Sequence, residues 1–302
     1  MRRRLVVVIC VTAAVLASAA PAHARTNTRT KPIIFVHGLD AFFSSGSDCN
    51  AWNPMISTLQ SWGWTGTMAK TQYYAFDSNC TYSVDHHGVH TKHYGGTAEH
   101  DANNPNSHGF DSRIEHIAYH LAWMIYDHFS SAGITVDAVG HSMGGLILRY
   151  AIAQSARNHA DFPAYLYVED VATLGTPHTG SGWASGCWWA DQCGQMVPGS
   201  SFLNWLATYA PNPQESGGTD WTTMGSYNDD FVSAGSATGM DSTHRINYYS
   251  NMNVEHGDYL VDTSDSRTAD VEYWDRPGPW YAWYSAPYSV RWTDFALYYG
   301  TW

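Results

Sequence analysis

The chain has 302 residues, which suits one large domain or two small ones and allows a substantial core. Its formal net charge of −12, about −15 once three arginines of an N-terminal leader are removed, argues against nucleic acid and anionic membranes as partners. Beyond that leader no run of 18 or more apolar residues could span a bilayer, and 14 Trp with 20 Tyr supply core and apolar surface for a greasy or polymeric ligand.

Residues 1–24 read as a secretory signal peptide. Arg2-Arg3-Arg4 is the charged start, 5–20 the apolar stretch and Ala22-His23-Ala24 the cleavage site, so a mature, secreted chain is expected from Arg25, with a twin-arginine export route left open. Cysteine usage agrees with export. Cys10 leaves with the leader, and Cys49, Cys80, Cys187 and Cys193 can pair in three ways. The expected pairing is Cys49–Cys80 with Cys187–Cys193, the second closing a small loop in a Gly/Trp-rich segment that has little packing of its own.

Strand and helix signals then alternate without internal repeats. Ile33–Val36 is a short buried strand ending in His37-Gly38. Asn53-Pro54 reads as N-cap and first residue of a helix with Trp52, Ile56 and Leu59 on one face, and 71–76 as a second strand. Ser112-Arg113-Ile114-Glu115 has the form of a capping box before an amphipathic helix carrying Ile117, Leu121 and Ile125. A strand at 135–139, a helix at 146–153 and strands at 166–173, 221–226 and 245–249 complete the series. This alternation predicts an α/β fold with a mostly parallel sheet.

Two stretches interrupt it, a His/Gly/Asn-rich insertion at 77–106 and a Gly/Pro-rich segment at 178–218, both expected as loops over the ligand-binding edge. Within the second, 180–209 is expected to form a cap or rim presenting Trp183, Trp188 and Trp189 to substrate, with Ser201 capping a short helix whose Phe202, Leu203, Trp205 and Leu206 turn a greasy face to the ligand. The competing reading packs this segment on the sheet as core.

"VDAVGHSMGGLILRYAI", residues 136–152, carries the chemistry. A strand that turns at once into a helix strains the turning residue, and glycines two positions either side give room for the tight approach. Ser142 is thereby exposed at a helix N-terminus, where the Met143 amide points at a developing oxyanion. A serine nucleophile needs a base and an orienting carboxylate, which in this arrangement follow in the order Ser, Asp/Glu, His. "SYNDDFV" supplies Asp229, with Asp230 adjacent; "NVEHGDYL" supplies His256, with His244 as rival; "IIFVHGLD" places the Leu39 amide as second oxyanion donor.

Together "FVHGL", "VGHSMGG", "LGTPHTG" and that Asp/His pair resemble the small secreted class 2 lipases of the α/β-hydrolase superfamily over about residues 31–260. The resemblance implies one α/β-hydrolase domain at 25–302, with 261–302 as an aromatic-rich C-terminal extension. It assigns Ser142 as nucleophile, Asp229 as acid, His256 as base, and the Leu39 and Met143 amides as the oxyanion hole; the composition of 180–209, apart from the resemblance, offers Trp188 and Trp189 as substrate-binding residues. His37 reads as a hydrogen-bonded support of the oxyanion loop, and Thr176-Pro177-His178 as a loop beside the site.

The cluster of His86, His87, His90, His93 and His100 with Asp85 and Glu99 has suitable metal-ligand types but no fixed-site spacing, so it reads as a solvated loop. No metal and no cofactor are expected. The expected activity is a secreted serine lipase or esterase acting on hydrophobic esters through an acyl-enzyme, as a monomer. The alternatives are an aliphatic polyester depolymerase and a non-catalytic polymer- or carbohydrate-binding protein, to which the Trp-rich tail is suited.

Overall fold

The computed structural model describes residues 25–39, 49–74, 76–84, 90, 94, 100, 101, 104–109, 112–187 and 189–299. The leader, Trp188, and Asp85, His86, His87, His93 and Glu99 of the histidine cluster lie outside them, as does the side chain of His100. Among the described residues the strands are β1 (Ile33–Val36), β2 (Met68–Gln72), β3 (Tyr82–Ser83), β4 (His100–Asp101), β5 (Asn104–His108), β6 (Val136–His141), β7 (Val168–Leu174), β8 (Asp220–Ser226), β9 (His244–Tyr248), β10 (Ala269–Asp275) and β11 (Trp280–Ala286). The α-helices are α1 (Asn53–Ser61), α2 (Ile114–His128), α3 (Met143–Ala156), α4 (Asp191–Met196), α5 (Ser201–Tyr209), α6 (Ala234–Ala237) and α7 (Ser289–Tyr298).

Nine strands make one sheet in the order β11-β10-β9-β8-β7-β6-β1-β2-β3, parallel from β3 to β9 and antiparallel at β9, β10 and β11; β4 and β5 pair separately. Both faces are covered, so the central strands β1, β6, β7 and β8 are buried along almost their whole length. Successive residues point to opposite layers: Ile34, Val36 and Ala138 pack with α2, α3 and α5, while Ile33, Phe35 and Val139 pack with α1 and α7. This is the α/β fold with a mostly parallel sheet anticipated from the alternation of elements.

The order of strands also locates the functional edge. From β1 the chain runs outward to β2 and β3, then crosses back to place β6 on the other side of β1. The loops leaving β1 and β6 therefore diverge at a topological switch point, the crevice where α/β sheets bind ligands. They carry His37-Gly38-Leu39 and Ser142.

Several local expectations shift for identifiable reasons. The second strand is Met68–Gln72 rather than 71–76, because Tyr73 and Tyr74 turn to donate their amides to Asp77 at 2.8 Å. Asn53 is the first helical residue, with Trp52 at the cap. No capping box forms at α2: the Ser112 hydroxyl accepts from Gly109 N, and the Ile114 amide is instead satisfied by Gln195 Oε1 at 2.7 Å, a cap delivered from α4. Ser200, not Ser201, caps α5, accepting from Leu203 N at 3.2 Å.

The 180–209 segment divides. Phe202, Leu203 and Leu206 of α5 are core, and the buried Arg149 of α3 donates to the Leu206 and Ala210 carbonyls at the helix C-terminus. Trp183 and Trp189 remain exposed. The tail beyond 260 adds β10 and β11 to the main sheet, and Trp292 and Leu297 of α7 lie fully within the core. Both disulfides join the expected partners, Cys49–Cys80 and Cys187–Cys193. Among the described residues no helix is long and apolar enough to cross a membrane.

Candidate active site

Ser142 sits between β6 and α3 at φ 53°, ψ −129°, a conformation that costs a non-glycine residue roughly 1–3 kcal/mol and that persists where the surrounding packing enforces it. The flanking glycines show how the turn is made. A Cβ on Gly144 would lie 2.1 Å from the Val36 carbonyl oxygen, and one on Gly140 2.7 Å from the Gly145 backbone, so only hydrogen fits at either place. The elbow is held from below by Ser142 N donating to Leu174 O at 2.9 Å. Met143 opens α3, so its N–H precedes the first intrahelical bond and is directed out of the helix end.

The loop after β1 presses against this serine, since a Cβ on Gly38 would come within 2.5 Å of Ser142 Cβ and 3.0 Å of its hydroxyl oxygen. That loop is braced beneath. His37 Nδ1 faces the Gly38 carbonyl and Nε2 faces Asp77 Oδ2, each at 2.9 Å, and the ring stacks on Tyr73, whose hydroxyl donates to the His37 and Gly38 carbonyls. His37 thus supports the loop, as its sequence context suggests. Asp77, 40 residues away, could not be read as its partner from spacing. Leu39 packs on the Cys187–Cys193 cluster, so the second bridge backs the loop that bears the expected oxyanion donor.

Asp229 follows β8 and His256 lies in the loop between β9 and β10. Asp229 Oδ1 accepts from the amides of Phe231 and Val232 at 2.9 Å, and Oδ2 faces His256 Nδ1 at 2.8 Å. Both groups close on Gly175, where a Cβ would be 3.1 Å from Asp229 Oδ2 and from His256 Nδ1. Gly175 follows Leu174, the residue bonded to Ser142 N, so the Asp–His pair and the serine gather at one edge of the sheet. Asp230 is exposed. His244 is at the other end of the sheet, between Asp275 Oδ1 at 2.7 Å and Asp220 Oδ2 at 3.3 Å; these carboxylates raise its pKa to about 9 against the opposing effect of burial.

Sequence reasoning missed His141. Its Nε2–H donates to the His256 carbonyl at 2.8 Å, and the two rings lie 4.7 Å apart. Desolvation, followed by the neighbouring His256, pushes its pKa down to about 3, so the ring stays neutral with its one proton committed to that carbonyl. We expect His141→Phe, which keeps a ring but loses the donor, to lower kcat on a soluble ester by about 10- to 100-fold with little change in KM or melting temperature, the scale of a misplaced catalytic group. Unchanged kcat would mean that the loop holds His256 without this bond.

Of the expected substrate contacts, Trp189 is exposed near the bridge and Trp188 lies outside the described residues. Trp183 is also exposed. Its ring is 5.1 Å from Phe231, which is 5.2 Å from His256, and it carries an aromatic wall up to the site. No group of three or more His, Cys, Asp or Glu among the described residues is arranged to hold a metal.

The family described as "Putative serine esterase (DUF676)" matches residues 27–196, which include the β1 loop and the Ser142 elbow. No curated protein matches the sequence. Similar solved structures include a mature Bacillus licheniformis lipase (21% identity, 73% of this chain and 74% of that one, TM-score 0.42) and a Listeria innocua gene product (14%, 90% and 96%, 0.47). A lipase B from Aspergillus fumigatus is a third (14%, 77% and 52%, 0.43).

Proposed function

Since the chain belongs to the family described as "Putative serine esterase (DUF676)", we propose that it is a secreted carboxylic-ester hydrolase acting on hydrophobic esters through a Ser142-His256-Asp229 triad. The observation that carries this reading is the strained backbone of Ser142, set at the sheet edge where the Asp229–His256 pair also lies. In the proposed reaction the Ser142 hydroxyl attacks the ester carbonyl while His256 takes its proton through Nε2. Asp229 holds Nδ1–H, fixing the tautomer and stabilising the imidazolium. The carbonyl oxygen, negative in the tetrahedral intermediate, is received by the amides of Leu39 and Met143. His256 returns the proton to the leaving alcohol, and water then releases the acid from the acyl-serine by the same steps.

Exposed Trp183 and Trp189 support an apolar acyl partner, and the two disulfides suit an oxidising, extracellular setting after removal of the leader. An alkyl fluorophosphonate tests the proposal directly, because only an activated serine reacts at an appreciable rate. Stoichiometric labelling, mapped by mass spectrometry to the peptide containing Ser142, is the expected result. Absence of label, or label on another residue, overturns it.

A further inference from the structure

The chemistry along β9–β11 is unlike that of the ester site. In β9–β11 the register places Asn247 opposite Glu272, Arg245 opposite Trp274 and Tyr284 opposite Asp270, so these residues share one face. The other face, with Ile246, Tyr248 and Val271, is core. Helix α6 covers the first face only at its β8 end, and Tyr284 and Tyr227 are left 67% and 55% exposed.

The tyrosine rings on this face are ordered. Tyr227 and Tyr249 are within 8° of parallel at 6.3 Å, and Tyr249 and Tyr284 within 22° at 6.4 Å, making a row across β8, β9 and β11. Polar groups border it. Glu272 Oε1 accepts from the Tyr227 hydroxyl at 2.7 Å and from Asn247 Nδ2 at 3.1 Å, and Asp270 Oδ2 from Asn251 Nδ2 at 2.7 Å.

We propose that this tyrosine row is a binding platform for a neutral polysaccharide chain. Pyranose rings offer polarised C–H groups on their faces, matching the negative face of an aromatic ring, and hydroxyls on their edges, matching carboxylates and amides. The bordering acids select among polymers. Burying Asp270 and Glu272 against hydrocarbon or polyester desolvates them without supplying donors, and an anionic polymer is repelled by them and by the chain's net charge of −12. A chain of neutral sugars donates hydroxyls to both. Tyr227 stands two residues before Asp229, so a polymer on the row is held beside the ester site. The platform does not depend on the serine chemistry.

Depletion from solution onto microcrystalline cellulose and insoluble xylan tests it, with polycaprolactone particles in parallel and sedimentation equilibrium to follow self-association. The whole protein is expected to bind at least one polysaccharide. Tyr284→Ala and Tyr249→Ala should each weaken that binding at least tenfold at unchanged melting temperature and unchanged turnover of a soluble ester, and Tyr284→Trp should retain it. Three results overturn the proposal: no binding to either polysaccharide, binding that survives both alanine substitutions, or a Tyr284-dependent response confined to polyester or to dimer formation.

Discussion

Replacing Ser142 with Ala is expected to lower kcat on a soluble ester by at least about 10⁴-fold while leaving the melting temperature within a few degrees, since one hydroxyl is removed from the attacking residue. The acid is tested beside it. Asp229 receives two backbone amides on Oδ1 and faces His256 with Oδ2, an orientation that Asp230, exposed on the same turn, does not have. Asp229→Asn is therefore expected to lower kcat by about 10⁴-fold, because an amide can present its NH₂ to Nδ1 and so favour the wrong tautomer. Asp230→Asn should leave turnover essentially unchanged. A reversed ranking moves the acid by one residue; near-native turnover by Ser142→Ala removes the mechanism.

Lys31→Met is expected to produce the largest loss of stability. The Lys31 ammonium, 4% exposed, meets Asp137 Oδ1 at 2.8 Å, Glu169 Oε1 at 3.1 Å and Asp170 Oδ2 at 3.3 Å under the N-terminal ends of the strands. Arg25 adds a second cation to Asp170 and Asp220. Removing one partner of a buried ion pair costs about 3–5 kcal/mol, because the charge left behind stays desolvated.

The pH dependence gives this substitution a signature. Burial raises the pKa of Asp170 to about 7 and that of Asp137 well above its ordinary value, although Lys31 opposes both shifts. Raised carboxylates bind more protons in the folded than in the unfolded state, so stability falls as pH rises from the ordinary carboxylate range near 4 through about 7. Without Lys31 these pKa values rise further and the fall steepens. Urea unfolding at pH 5 and pH 8 should therefore show a larger difference between Lys31→Met and wild type at the higher pH. An equal difference at both would assign the loss to packing.

Much of the candidate site was legible because its shape depends on local backbone geometry. The turn from Gly140 to Gly144 needs two glycines and a serine between them within five residues, and the adjoining apolar runs reveal the strand and helix that make it. His37-Gly38 was legible for the same reason, as the end of a buried strand. Distinguishing Asp229 from Asp230, or His256 from His244, required three-dimensional information, because sequence spacing does not say which end of a sheet a side chain occupies. The structure puts His244 between Asp220 and Asp275 at one end and His256 against Asp229 at the other.

Contacts between distant segments were invisible for a related reason. The capping box at Ser112 is a local possibility, but Gln195, 81 residues from Ile114, satisfies the same amide once α4 is docked on α2. Asp77 under His37 and the His141 bond to the His256 carbonyl likewise exist only after the sheet has assembled. The tail shows the limit of composition. "WDRPGPWYAWYSAPYSVRW" reads as aromatic surface, yet its alternating residues divide between a core face with Trp283 and an open face with Tyr284.

By itself, then, the sequence determined the α/β alternation and the elbow at Ser142, both set by backbone sterics and hydrophobic periodicity within short windows. Tertiary structure decided which carboxylate and which histidine meet, which glutamine caps α2, and that α5 is core while Trp183 packs on Phe231. Those outcomes depend on strand order and helix docking, which bring together groups whose separation along the chain carries no information about their distance in space.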